Sequence, residues 1–175
     1  MIYDSKTAEK RHIIDAADAM MSAARTAPKA HGYDYLTCLT VDGEEKAKLA
    51  QAMRDYTEES GLDFMTRDAG CVDASDAVVL IAAKKFYYDV NCGYCGKKNC
   101  AEAAREGICC FFTSHDLGLA VGSAVSIAAD MRVDSRVMYS AGVGAIKAGL
   151  IAEDLLCIAI PISVSGKSVY FDREE

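Results

Sequence analysis

Two uninterrupted apolar runs, AVVLIAA at 77–83 and LLCIAIPI at 155–162, set the strongest limit on how this 175-residue chain folds. Both are short and rich in strand-forming residues, and neither is long enough to cross a bilayer as a helix. A strand that is apolar at every position turns both faces to the core, because successive side chains point to opposite sides. Such strands need covering layers. Ile13, Ile14, Ala17, Met20, Met21 and Ala24 recur at helical spacing and predict a first helix ended by Pro28. YLTCLTV at 35–41 alternates and predicts a strand closed by an Asp42-Gly43 turn, and 44–60 suits a helix stopped by Gly61. Ser114 and Asp116 offer N-caps to an almost wholly apolar central helix reaching Met131. On it Gly118, Gly122 and Ser126 lie four apart, a spacing that suits close helix packing. A further helix is expected over 135–148, with Val137, Met138, Ala141, Ala145 and Ile146 inward and Gly149 as its C-cap. Three strands and at least four helices predict an α+β or α/β sandwich, in one domain large enough to hold a core without disulfides.

Charge and composition exclude several function classes. A net charge of −7 argues against a nucleic-acid partner, which would need clustered Lys and Arg. No stretch predicts a membrane span, and Asp4, Lys6, Glu9, Lys10 and Arg11 break any apolar leader near the start. A cytoplasmic location is expected, where thiols stay reduced, so eight cysteines point to metal or redox chemistry. There is no Ser/His/Asp order, no paired-carboxylate motif and no phosphate-cradling G-x4-GK[ST] loop, which removes the hydrolase and nucleotide-hydrolysing readings.

Five of the cysteines fall within NCGYCGKKNCAEAAREGICCFF at 91–112. Cys92, Cys95 and Cys100 are spaced C-x2-C-x4-C, and Cys109 and Cys110 follow as a pair. Gly93 and Gly96 permit a tight turn whose N–H groups can face an anionic centre, and Lys97 and Lys98 add positive charge. AEAARE predicts a short helix that carries the chain away before it returns at Gly107. Thiolates suit zinc and iron–sulfur clusters. Structural zinc usually takes two separated short pairs, whereas a compact trio with a distant fourth is how cubane clusters are commonly held. Iron–sulfur is therefore favoured, with zinc as the alternative metal; either Cys109 or Cys110 can complete the set. Cys38, Cys71 and Cys157 lie singly in or near apolar segments and are expected to be plain buried thiols. Arg67-Asp68 is expected to be an ordinary ion pair, and His115 a hydrogen bonder at a helix start.

CGYCGKKNC resembles the CG-x-CG-x3-C signature of four-iron ferredoxin-like modules in corrinoid iron–sulfur proteins and the Rnf-type electron-transfer subunit, whose fourth Cys lies farther downstream than either candidate here. AARTAPKAHG, CGYCG, DLGLAVGSAV, DSRVMYSAG and IPISVSGKSVYFDR together resemble a prokaryotic family of uncharacterised proteins with a ferredoxin domain. In that family the cysteine before the DLG motif has the position of Cys110, so the resemblance implies Cys92, Cys95, Cys100 and Cys110 as metal ligands. ARTAPKAHGYDYLTCLTV and CIAIPIS are also similar to nitroreductase-like flavoproteins. That likeness implies a three-layer sandwich spanning 1–175, with 91–112 as an iron–sulfur-binding, ferredoxin-like insertion. It further implies FMN, met by Arg25, Thr26 and Lys29 after the first helix and by Lys167 and Arg173 in the tail, and a homodimer. The paired arginines that usually open such proteins are not matched, and Lys29 and His31 replace the Ser and Asn of their turn. Two functions are expected: a [4Fe–4S] redox protein, possible flavin oxidoreductase, passing electrons to a flavin, a partner protein or a small acceptor; or a non-enzymatic, metal-stabilised binding protein.

Overall fold

The computed structural model describes residues 2 and 4–171. Helix α1 (Ser5–Thr26) is followed by a single 3-10 turn, Ala30–Gly32, and then strand β1 (Leu36–Val41). Helices α2 (Gly43–Ser60) and α3 (Phe64–Ala74) lead to β2 (Ala77–Lys84). The cysteine segment carries α4 (Cys100–Arg105), and α5 (Phe111–Asp130), β3 (Asp134–Ser135), α6 (Tyr139–Lys147) and β4 (Leu155–Ser163) complete the order.

The four strands form one sheet in the order β1-β2-β4-β3, and every pairing is antiparallel. β2 and β4 are the middle strands, in a register that sets Ala77 opposite Ile162 and Lys84 opposite Leu155. Their full burial follows from helices on both faces. Ala77, Val79, Ile81 and Ala83 turn to α1 and α5, meeting Ala17, Met20, Ala120 and Ala124. Val78, Leu80 and Ala82 turn the other way, onto Leu49, Met53, Val72, Ala141 and Ala145 of α2, α3 and α6. The result is a three-layer α/β/α sandwich with two hydrophobic cores divided by the sheet. Pro161 is tolerated inside β4 because its carbonyl accepts from Arg136 N. Its missing N–H therefore lies on the β3 side, where the ladder is ending.

Several boundaries differ from expectation, each for a local reason. Asp42-Gly43 starts α2 rather than closing a turn: Asp42 is the N-cap, with Glu44 and Glu45 behind it in the first turn. α3 was not anticipated, although Met65, Asp68, Ala69 and Val72 are buried at helical spacing. α6 begins at Tyr139, not 135, because Met138 is held extended by exchanging both backbone hydrogen bonds with Ala159. Val137 is consequently exposed rather than inward. Gly149 follows the C-cap Ala148 instead of filling it. α5 starts one turn early, with Cys110 as its N-cap, so neither Ser114 nor Asp116 caps it. Its packing on α1 uses Leu117, Ala120, Val121, Ala124 and Ala128, while Gly118, Gly122 and Ser126 are exposed, and among the described residues nothing lies within 4 Å of a side chain added at either glycine.

Candidate metal centre

After β2 the chain leaves the sandwich, and residues 84–116 supply no member of either core. Side chains moor the segment at its two ends. Thr113 Oγ1 donates to Phe86 O at 3.1 Å, and Tyr87 OH donates to Ile108 O at 2.9 Å. Between them the backbone visits the left-handed region at Asp89, Asn91, Gly93 and Gly96, which curls it tightly. Gly96 N donates to Gly93 O at 2.9 Å and closes the CGYCG turn. α4 then starts at Cys100: Asn99 Oδ1 accepts from Glu102 N, while Glu102 Oε2 accepts from Lys98 N. Ile108 N returns to Ala103 O at 2.9 Å, so the chain comes back beside its own starting point, as the AEAARE motif predicted.

This path brings Cys92, Cys95, Cys100 and Cys110 to the wall of one small cavity, shared with Tyr87, Asn91 and Phe111. Cys92 is exposed, Cys95 and Cys100 are half-buried, and Cys110 is buried. Cys109 turns elsewhere: its Sγ lies 3.5 Å from Cys110 O and 3.6 Å from Ser114 Oγ. The residues lining the cavity include no histidine or carboxylate, so the donor set is all thiol. Among the described residues, no three Cys, His, Asp or Glu side chains gather tightly around one ion position. The four thiols share the lining of one cavity without converging on a single ion position. Lys97 belongs to the wall, and Glu106 beside it raises the pKa of its ammonium by hydrogen bonding. Soft donors, a nearby cation and the N-terminal end of α5 at Cys110 fit an anionic, sulfur-rich group.

An aromatic belt runs outward from the cavity. Tyr94 meets Phe111 at 5.2 Å between centroids, Phe111 meets Phe112 at 5.4 Å, and Phe112 meets Tyr88 at 5.7 Å. Tyr88 in turn contacts His31 at 5.6 Å and Phe86 at 5.2 Å. At the centre is the buried carboxylate of Asp116, whose Oδ2 accepts from Ala30 N and from Tyr88 OH, each at 3.0 Å. His115 Nδ1 lies 3.3 Å from its other oxygen. Burial first, and then the bond to Asp116, push the Tyr88 hydroxyl above the usual tyrosine range. Asp116 thus ties the cysteine segment to the turn after α1. Sequence reading missed this role, and also missed Asn91 and the Asn99 cap; only the Asn99-x-x-Glu102 spacing carried a readable signal.

The remaining cysteines lie apart from this centre. Cys71 and Cys157 are buried and Cys38 is half-buried. Burial pushes the Cys157 thiol up to about 12, and it also raises Cys38. The Arg67–Asp68 pair is present at 2.9 Å, and Asp68 additionally accepts from Ser140 Oγ at 2.6 Å, joining α3 to α6.

The basic residues expected at a flavin phosphate fall into two separated groups. Arg25 donates to Leu36 O and pairs with Asp34 at 2.9 Å, Thr26 Oγ1 donates to Ser22 O, and Lys29 Nζ donates to Ala27 O and Arg25 O. All three sit at the C-terminal end of α1. The tail holding Lys167 starts at the other end of that helix, where Val164 lies beside Ala8 and His12. Arg173 lies outside the described residues.

The layering and the strand order define a class, the nitroreductase-like fold. The chain superposes on a nitroreductase with bound FMN from Bacteroides fragilis with a TM-score of 0.63 at 10% identity, covering 92% of this chain and 82% of that one. A putative nitroreductase in complex with FMN from Desulfovibrio desulfuricans gives 0.58 at 14% identity, covering 92% and 79%. The hypothetical oxidoreductase YcnD from Bacillus subtilis gives 0.58 at 14% identity over 88% of this chain, which spans only 58% of its length. At the sequence level, an uncharacterized protein of Archaeoglobus fulgidus is 40% identical over 182 residues, covering 99% of this chain and 98% of the relative. Residues 106–173 match the family described as "Uncharacterized protein containing a ferredoxin domain (DUF2148)". The chain belongs to that family of ferredoxin-domain proteins, built on a nitroreductase-like fold. No described helix is long and apolar enough to cross a membrane.

Proposed function

We propose that the chain is a redox protein that holds a [4Fe–4S] cluster through Cys92, Cys95, Cys100 and Cys110 and exchanges electrons with a flavin bound between two copies of the chain. One observation carries the reading: the four thiols of Cys92, Cys95, Cys100 and Cys110 line a single cavity while Cys109 points elsewhere. Structural zinc usually takes two separated short pairs, whereas the compact Cys92, Cys95 and Cys100 trio with a later fourth cysteine suits a cluster better. When bound, the cluster would supply one-electron transfer, which pairs naturally with a flavin's one- or two-electron chemistry. The chain's part is to present four soft donors, to offset negative charge with Lys97, and to set Cys110 at the N-terminal end of α5.

The flavin half is supported by fold relatives described with FMN. Arg25, Thr26 and Lys29 from one copy, with Lys167 and Arg173 from the other, would face one phosphate. The outward face of α5 leaves room for a second copy, since nothing lies within 4 Å of a side chain added at Gly118 or Gly122, and Leu119 between them is exposed. On this reading 91–112 is an insertion in a single domain. All eight cysteines are unpaired, which suits the reducing cytoplasm.

Anaerobic purification followed by iron, sulfide, zinc and flavin assays on one sample tests the proposal. The expected result is about four irons and four sulfides per chain, with flavin. Zinc without iron would reject the redox reading in favour of a metal-organised binding protein. Cys110→Ser should lose iron and Cys109→Ser should keep it; loss only in the latter reverses the assignment.

A further inference from the structure

Asn91 grips one of the four ligand cysteines twice. Its backbone N–H donates to Cys100 Sγ at 3.4 Å, and its side-chain Oδ1 accepts from Cys100 N at 2.8 Å. The residue stands in the left-handed region, φ 54°, which a side chain rarely adopts and which Asn and Asp tolerate better than most. Asp89 two residues earlier is left-handed too, and its carbonyl accepts from Asn91 Nδ2 at 3.5 Å. The left-handed backbone aims the N–H at the sulfur, and the side chain anchors the backbone of the same cysteine. Cys100 N is also one of the unpaired donors at the start of α4, so the anchor settles a helix end as well as a ligand. No other ligand sulfur receives a hydrogen bond within the described residues.

Building on the cluster reading above, we propose that Asn91 is a positioning residue that holds Cys100 in place and raises the reduction potential of the bound cluster. A hydrogen bond to a ligand sulfur draws electron density from it and so favours the reduced, more negative state. Partners one bond removed from a metal ligand commonly govern how firmly the metal is held, with losses of about 10- to 100-fold when they are removed. Gly at this position would keep the φ angle and the N–H but lose the Oδ1 anchor. Asp would keep both the φ angle and an acceptor oxygen while adding a negative charge. The two variants therefore separate the anchor from the charge.

The test uses the full chain, purified without oxygen, in three forms: native, Asn91→Gly and Asn91→Asp. Iron release to a chelator is followed by absorbance, the midpoint potential by redox titration, and folding by far-ultraviolet circular dichroism. N91G is expected to release iron about tenfold faster and, because Cys100 freed from its Oδ1 anchor moves its sulfur off the Asn91 N–H, to titrate at a more negative potential, with unchanged helical signal. N91D is expected to release iron at the native rate, also at a more negative potential. Native rate and potential in N91G overturn the proposal, as does N91D releasing iron as fast as N91G. Native protein that contains no iron overturns the cluster reading itself, a result that the iron assay on the native form distinguishes from failure of Asn91 alone.

Discussion

Tyr88 shows how one hydroxyl joins two parts of the molecule. It donates to Asp116, which also accepts from Ala30 N, so the bond exists only while the phenol keeps its proton. Burial and that bond raise its folded pKa above the ordinary value of about 10. A raised pKa gives stability that is complete below the unfolded value and is lost as pH climbs from there through the folded one. Tyr88→Phe should therefore cost about 1.5 kcal/mol at pH 7, the worth of a hydrogen bond to a charged group. The gap to the native protein should shrink above about pH 10. Urea unfolding at pH 7 and in alkaline buffer measures both, and a gap that widens with pH contradicts the account. Neither Tyr88 nor Asp116 was legible in this role. Asp116 looks like a helix cap in sequence, because the aromatic pair Phe111-Phe112 reads as poor helix and moves the apparent start downstream. The grouping of the cysteines was legible because their spacing is local; the carboxylate's partners are 86 and 28 residues away.

Among the elements, α6 has the tightest seat. At Gly142 an added Cβ would land on the Cys157 carbonyl of β4, and at Gly144 on the Met53 side chain of α2. The two differ in who must yield. Met53 ends in a flexible thioether, whereas the Cys157 carbonyl belongs to a strand paired through its length with β2. Gly142→Ala should thus destabilise by about 3 kcal/mol, at the upper end for overpacking, and Gly144→Ala by less. Denaturant midpoints check the order, and equal midpoints would show that β4 shifts freely. The same region shows where reading by periodicity stops. β2 and β4 were legible because a strand buried on both faces is apolar throughout, whatever packs on it. The start of α6 was not, since Val137 and Met138 fit a helical stripe and only the long-range pairing of Met138 with Ala159 keeps them extended. α3 carried its stripe in the sequence, but Asp68 within it reads as polar surface until Ser140, far along the chain, supplies its partner.

The sandwich and the cysteine segment are separate stabilising systems joined at few points. Both hydrophobic cores are complete without any residue from 84–116. The segment has only one fully buried side chain between Val90 and Cys109, Ala103, and otherwise depends on hydrogen bonds, the aromatic belt and, on the proposed reading, the metal. Small metal domains that lack a core unfold when the metal leaves, because binding energy is their folding energy. Here that rule should hold for the segment alone. Stripping the metal with a chelator under anaerobic conditions should leave the helical signal of the core nearly intact. The loop should open at the same time, exposing Lys97, Lys98 and Arg105 to trypsin. Lys97 is the most telling of these, since in the folded loop it pairs with Glu106 and lines the cavity. Circular dichroism before and after chelation, with timed trypsin digestion and mass analysis of the fragments, reads both changes. A core that melts with the metal would mean that the cluster braces the whole sandwich. The bonds that would carry such bracing are Thr113 to Phe86, which ties the two ends of the segment together, and Asp116 to Ala30, which ties it to the turn after α1. Cleavage confined to the loop, with a cooperative core transition left in place, would mean that those same bonds only moor a separable metal-binding insertion.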